Sequence, residues 1–150
     1  MPVLQDQDRA AVQHRFDAEL RRDVNLTLYT QADIGLYIPG RECQTCGQAQ
    51  ELVEEVCALS PKIHLEIVDF YRDTRAAADL GISRIPAIVF GSQKDGRARY
   101  FGLPSGYEFA LFIESIIGAA ERRSPLKLET RRQLRHLKED VHIRVFVTPN

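Results

Sequence analysis

Arg41-Glu42-Cys43-Gln44-Thr45-Cys46-Gly47 is the stretch on which the reading of this sequence turns. Two cysteines separated by two residues can close a small disulfide and reopen it, which is the requirement for dithiol chemistry. The residues that follow carry a helical pattern. Ala49, Leu52, Val53, Val56 and Cys57 recur at i, i+3, i+4, i+7 and i+8, the buried stripe of an amphipathic helix. At about 100° per residue, Cys46 falls close to that stripe and Cys43 sits at its edge, in the first turn. One thiol is therefore expected at the helix N-terminus, with its partner half covered behind it. The free N–H groups and positive dipole end there would stabilise a thiolate on Cys43. That thiolate would attack, and the second thiol would resolve the mixed disulfide.

Upstream, Val12, Phe16 and Leu20 are spaced by four within Gln5 to Arg22 and predict an opening amphipathic helix. Val24-Asn25-Leu26-Thr27-Leu28-Tyr29 alternates like a strand. Thr30 to Glu42 reads as a loop broken by Gly35 and Pro39-Gly40. Its apolar Ile34, Leu36, Tyr37 and Ile38 either pack beneath the loop or form a lip beside Cys43.

Downstream, the cysteine helix is expected to run to about Leu59 and stop before Ser60-Pro61. Ile63 to Val68 alternates as a second strand. Asp73 is a plausible N-cap for a short helix through Leu80, with Gly81 at C′. Pro86 to Phe90 predicts a third strand, entered through Ile85-Pro86. Lys94-Asp95-Gly96 predicts a turn, with Arg97 to Phe101 returning antiparallel. Ser105 and Glu108 have the spacing of a capping box, followed by the apolar stripe Phe109, Phe112, Ile113, Ile116 and Ile117. Ser124-Pro125 predicts one more helix, ending near Asp140.

The order is βαβ followed by ββα, framed by an extra helix at each end. Right-handed crossover makes the first two strands parallel, with helices on both faces. The expected class is α/β: a mixed four-stranded sheet flanked by helices, with an extra N-terminal helix and a C-terminal helix plus orphan strand. A C-x-x-C after the first strand of such a unit points to a thioredoxin-like redox site.

The tail repeats the head. Glu19 to Tyr29 is echoed by Leu137 to Phe146: helix, acidic stop, then an alternating strand closing on an aromatic. Val141, Ile143, Val145 and Val147 share one face of that last strand, which has no neighbours of its own to bury it. It reads as the first strand of a second, absent unit; the alternative is that it joins the edge of the one sheet. Unpaired, it invites pairing with another chain, including a second copy.

The chain has 150 residues, 27% charged and 44% hydrophobic, with a net charge of −1. That length supports one domain with a real core plus an appendage. The charge gives no electrostatic basis for binding nucleic acid or an anionic membrane. Arg131, Arg132 and Arg135 are interleaved with Glu129, Glu139 and Asp140, as on a solvated helix face. No apolar segment approaches membrane-spanning length, and Met1 to Asp6 lacks the order of a secretory signal. Three cysteines do not look like a secreted disulfide framework, so a reducing cytoplasm is the expected setting.

Four segments together resemble a known family. They are Cys43-Gln44-Thr45-Cys46, Ser83-Arg84-Ile85-Pro86-Ala87, Tyr100 to Phe109, and Val141 to Pro149. The sequence is similar, over nearly its whole length, to the glutaredoxin-like protein disulfide oxidoreductases, which carry two tandem thioredoxin-fold units. The resemblance implies that residues 1–122 form the N-terminal unit. It makes residues 123–150 a linker helix and the first strand of a second unit whose cysteines are missing here. It also implies that Ile85-Pro86 is a cis bond facing the cysteines, with the Ile85 backbone open to an extended substrate. The loop before Cys43 is longer than the family pattern.

The expected reaction is thiol–disulfide exchange on protein or peptide disulfides. Cys43 would be the nucleophile, Cys46 the resolving thiol, and Ile85 and Pro86 the substrate-facing wall. An upstream thiol or disulfide partner would supply electrons, with no metal or organic cofactor. A redox-silent docking module is the leading rival, and a glutaredoxin-type small-thiol activity would need a basic pocket for which no distinctive cluster is visible. A zinc site is disfavoured because Cys57 lies about 16 Å beyond Cys46 along a helix rising about 1.5 Å per residue. Cys57 reads as a buried small hydrophobe. Glu42 would raise the Cys43 pKa and Arg41 would lower it.

Overall fold

The computed structural model describes residues 3–32, 38–91, 98–121 and 124–146. Among the described residues, nine elements follow in order: α1 (Asp6–Glu19), β1 (Val24–Thr30), α2 (Cys46–Cys57), β2 (Ile63–Asp69), α3 (Thr74–Asp79), β3 (Ala87–Phe90), β4 (Ala98–Phe101), α4 (Tyr107–Glu121) and α5 (Leu128–Leu134). The four strands form one mixed sheet in the order β2-β1-β3-β4. β1 runs parallel to β2 and antiparallel to β3, with Tyr29 opposite Ala87, and β3 and β4 pair antiparallel. The predicted βαβ–ββα order is thus observed. The Lys94–Gly96 turn, the apolar loop residues Ile34, Leu36 and Tyr37, and Val147 lie outside the described residues.

β1 occupies the middle of the sheet, and that position explains a departure from the simple alternation of its sequence. Thr27, Tyr29 and Thr30 are as buried as Leu26 and Leu28, because helices cover both faces of a central strand. On one face, Leu26, Leu28, Ile88 and Phe90 meet the stripes of α1, α2 and α4, with Phe90 and Phe112 6.0 Å apart between ring centroids. On the other, Tyr29, Ala87 and Val89 pack with Ala77 of α3 and Ile82. α1 is held to this frame at both ends. Glu55 of α2 accepts the N–H groups of Val3 and Leu4 at 2.7 and 3.0 Å, and Arg15 bonds Glu114 of α4 at 2.8 Å.

α3 is capped as its sequence indicates. Asp73 accepts from Ala76 N–H at 3.2 Å. Gly81 adopts φ +69°, with Gly81 N–H bonded to Ala78 O and Ile82 N–H to Ala77 O, a Schellman ending. Three other expectations need correction. Ser105 and Glu108 do not form a capping box: the Glu108 N–H goes to the Ser105 carbonyl, while its carboxylate accepts the Tyr100 hydroxyl. The last helix opens at Leu128, not at Ser124-Pro125, because the Ser124 hydroxyl accepts Leu126 N–H at 3.2 Å in a local turn. It stops at Leu134, short of Asp140. With no residue of α5 buried, only a short helix lacking tertiary support remains.

Residues 124–146 are exposed throughout. Residues 141–146 form no strand and pair with none of the sheet.

Candidate functional site

Cys43 and Cys46 are joined by a disulfide with a Cα–Cα separation of 5.4 Å, inside the range such bonds need. Their placement differs from the first-turn arrangement expected for Cys43. The N-cap of α2 is Thr45, whose side chain makes no capping bond, and Cys46 is the first helical residue. Cys43 therefore sits ahead of the helix, in the turn that leads into it. The first bond closing the helix is Ala49 N–H to Thr45 O at 2.9 Å. This leaves the N–H groups of Cys46, Gly47 and Gln48 without helical acceptors at the positive end of α2. Cys43 is half-buried and Cys46 is 3% exposed. The burial follows from sequence: Cys46 continues the Ala49, Val53, Val56 stripe that packs on the sheet.

A cavity of about 920 Å³ opens beside the disulfide. Cys43, Cys46, Gly47 and Gln50 form one wall, and Thr30 and Gln31, at the end of β1, form its floor. The exposed edge strand β2 and the turn after it supply Glu66, Asp69, Arg72 and Asp73. Asp69 accepts the Tyr71 N–H at 3.1 Å. Arg41, expected to lower the Cys43 pKa, stacks its guanidinium 4.7 Å over the Tyr71 ring.

The Ile85–Pro86 peptide bond is cis, as the family resemblance implied. Pro86 precedes β3 immediately, one step beyond the Tyr29–Ala87 pair, which puts it at the same end of the sheet as Thr30 and the cysteine turn. Pro86 is buried, and its carbonyl accepts Gly102 N–H at 2.9 Å. Ile85 is half-buried against the α3-side core, with no main-chain hydrogen bond among the described residues. The Arg84 guanidinium lies 5.0 Å from the Phe101 ring centroid. Ile85 and Pro86, expected to form a substrate-facing wall, do not line the cavity described above, which opens toward β2 instead.

Cys57 lies at the far end of α2, and burial, with a contribution from Glu54, pushes its thiol up to about 12. It is chemically remote from the disulfide. Among the described residues no group of three or more His, Cys, Asp or Glu side chains could hold a metal ion, and no helix is long and apolar enough to cross a membrane.

Thr30 escaped the sequence reading, which assigned it to the loop. Strand parity could have found it. Two residues past Leu28, it shares that residue's face and so looks toward α2.

No protein-family model and no curated protein matches the chain. Solved structures do. A protein disulfide oxidoreductase from Aeropyrum pernix superposes with a TM-score of 0.73 at 21% identity, covering 89% of this chain and 55% of that one. The alkylhydroperoxide reductase component AhpF of Enterococcus faecalis gives a TM-score of 0.71 at 20% identity, covering 89% of this chain and 61% of that one. The chain has a thioredoxin-like fold and spans less than two thirds of the length of these structural neighbours.

Proposed function

We propose that this chain is a thiol–disulfide oxidoreductase acting on protein or peptide disulfides, with Cys43 as nucleophile and Cys46 as resolving thiol. What supports it most directly is the closed Cys43–Cys46 disulfide, one residue half-exposed ahead of a helix N-terminus and the other covered behind it. In the reducing direction the Cys43 thiolate attacks one substrate sulfur. A bond forms between them, and the second substrate sulfur leaves as a thiolate. Cys46 then attacks Cys43, closing the protein disulfide and releasing the reduced substrate. A second thiol–disulfide partner restores the dithiol, and the setting is the reducing cytoplasm.

Ile85 and Pro86 are the proposed substrate wall, supported by the free main chain of Ile85 at the cysteine end of the sheet. Residues 123–150 are proposed as a linker helix and opening strand of a further glutaredoxin-like unit. The exposure of Val141, Ile143, Val145 and Phe146 supports this by leaving an apolar strip for such a unit, or a second copy, to cover.

The test is trapping. Cys46→Ser is expected to accumulate a mixed disulfide on Cys43 when mixed with a disulfide-bonded protein such as oxidised insulin. If no adduct forms and the unaltered chain also fails to speed insulin reduction by dithiothreitol, the oxidoreductase reading is wrong.

A further inference from the structure

β2 is an edge strand: in the sheet order β2-β1-β3-β4 it has β1 as its sole neighbour among the described residues. The bonds flanking it fix which of its main-chain groups β1 uses. Val24 N–H donates to Lys62 O at 2.8 Å, and Phe70 N–H donates to Thr30 O at 2.9 Å. In a parallel pair alternate residues of a strand bond to the same neighbour, so His64, Glu66 and Val68 turn their main chain toward β1. Ile63, Leu65, Ile67 and Asp69 turn theirs to the open side. Ile63 N–H is taken by Ser60 O, and the Asp69 carbonyl accepts the Arg72 and Asp73 N–H groups. Leu65 and Ile67 keep a donor and an acceptor each, with no main-chain partner outside the sheet among the described residues. Ile67 is also 41% exposed. No proline and no bulge interrupts the strand, the devices that commonly close such an edge.

This edge lies on the redox cavity. Glu66, Ile67, Val68 and Asp69 all line the space of about 920 Å³ that Cys43 and Cys46 also line. Successive side chains of a strand point to opposite faces, so a space touching four consecutive residues runs along the strand's edge rather than over one face. Its volume is in the range of ligand pockets, about 300–1,000 Å³. Its charge is lopsided: Glu66, Asp69 and Asp73 stand against Arg72 and the positive end of α2. The hydrogen bonds that Asp69 and Asp73 accept from the Tyr71 and Ala76 N–H groups leave their charges in place. Ile85 and Pro86 have no part in this lining.

We propose that the open edge of β2 is the docking rail for the substrate: the segment flanking the substrate disulfide adds to it as an extended strand, and segments rich in Lys or Arg are preferred. The inference rests on the oxidoreductase reading. Main-chain bonds to Leu65 and Ile67 hold any extended sequence, while the carboxylates select for cationic side chains. The substrate disulfide then faces Cys43 across the cavity. The Cys43 thiolate forms a bond to one substrate sulfur, and the electron pair of the broken substrate S–S bond leaves on the other sulfur as a thiolate.

The experiment uses the full reduced chain and a short peptide whose central cysteine carries thionitrobenzoate as a mixed disulfide. Attack by Cys43 on the peptide sulfur releases coloured thionitrobenzoate, and the second-order rate constant is read in stopped flow. A Lys-flanked peptide is expected to react at least about fivefold faster than its Glu-flanked counterpart in low salt, with the ratio falling toward one in high salt. Methylating one or the other alternate set of main-chain nitrogens in the Lys-flanked peptide should slow one of the two forms at least about tenfold, through one or two lost hydrogen bonds. With the Lys-flanked peptide held on Cys43 of Cys46→Ser as a mixed disulfide, amide exchange at Leu65 and Ile67, followed by NMR, should slow at least about tenfold. Equal rates for the parent and both methylated peptides overturn the docking rail. So do Leu65 and Ile67 amides that exchange as in the free chain, even where amides near Ile85 become protected. A Glu-flanked peptide as fast as the Lys-flanked one overturns the charge preference. If thionitrobenzoate is released neither from any peptide nor from 5,5′-dithiobis(2-nitrobenzoate), the oxidoreductase reading itself fails and takes this inference with it.

Discussion

Tyr29 offers a sharp test of the packing around β1. The residue is wholly buried, surrounded by Ala77, Ile82, Ala87 and Val89, and its hydroxyl has no hydrogen-bond partner among the described residues. Burial and the negative charges of Asp73 and Glu66 raise its pKa, so the group remains a neutral hydroxyl. An unsatisfied buried hydroxyl costs roughly 1–3 kcal/mol. Tyr29→Phe removes that cost and leaves an oxygen-sized void. At about 24 cal/mol per Å³ and roughly 10 Å³, the void costs only about 0.2 kcal/mol. The variant is therefore expected to be more stable by about 1–2 kcal/mol, a sizeable fraction of a typical total of about 5–15 kcal/mol. Urea unfolding of the oxidised chain reads this directly. With a slope of about 1–3 kcal/mol per molar, the midpoint should rise by about 0.5–1 M at unchanged slope. A fall in midpoint at the same slope would show that the hydroxyl is bonded, and would refute the reasoning.

Three further outcomes are expected. Asp73→Ala removes the side-chain cap of α3 and should cost about 1 kcal/mol in urea unfolding; a change near zero would mean the Schellman ending alone holds that helix. Cys57 has a folded pKa raised from 9.0 to about 12 by burial, so the stability it contributes is complete below about pH 9 and is lost as pH rises toward 12. Cys57→Ala should accordingly flatten the alkaline fall in stability relative to the unaltered chain, and equal slopes over that range would argue against the buried placement. Ile143→Ser together with Val145→Ser should leave the unfolding midpoint of the domain nearly unchanged, within about 0.5 kcal/mol, because both residues are exposed. Any self-association seen by sedimentation should weaken in that variant; association at undiminished strength would place the contact elsewhere.

Residue patterns alone settle those parts of this protein that depend on neighbours close along the chain. The stripe of α2, the alternation of β1 and β2, and the Asp73 and Gly81 ends of α3 are all set within a turn or two. Their signals can be read because side-chain periodicity and capping are local physics. The C-x-x-C motif and its opening helix were legible for the same reason. The same local reasoning failed where a distant group offered a better partner. Glu108 had the spacing to cap α4, but Tyr100, brought close by β4, takes its carboxylate. Ser124 and Pro125 had the look of a helix start, yet the Ser124 hydroxyl takes the Leu126 N–H in a local turn and the helix opens at Leu128.

The cavity beside Cys46 and the orphaned hydroxyl of Thr30 belong to tertiary structure alone. They exist because β1 lies between β2 and β3 under helices on both faces, so the last residue of a strand becomes the floor of a site. No pattern of neighbouring residues encodes that. A threonine on the end of an edge strand would keep its hydroxyl in water, whereas on this central strand the same residue is buried. Burial is decided by which strands and helices meet, and those contacts join segments far apart in the chain.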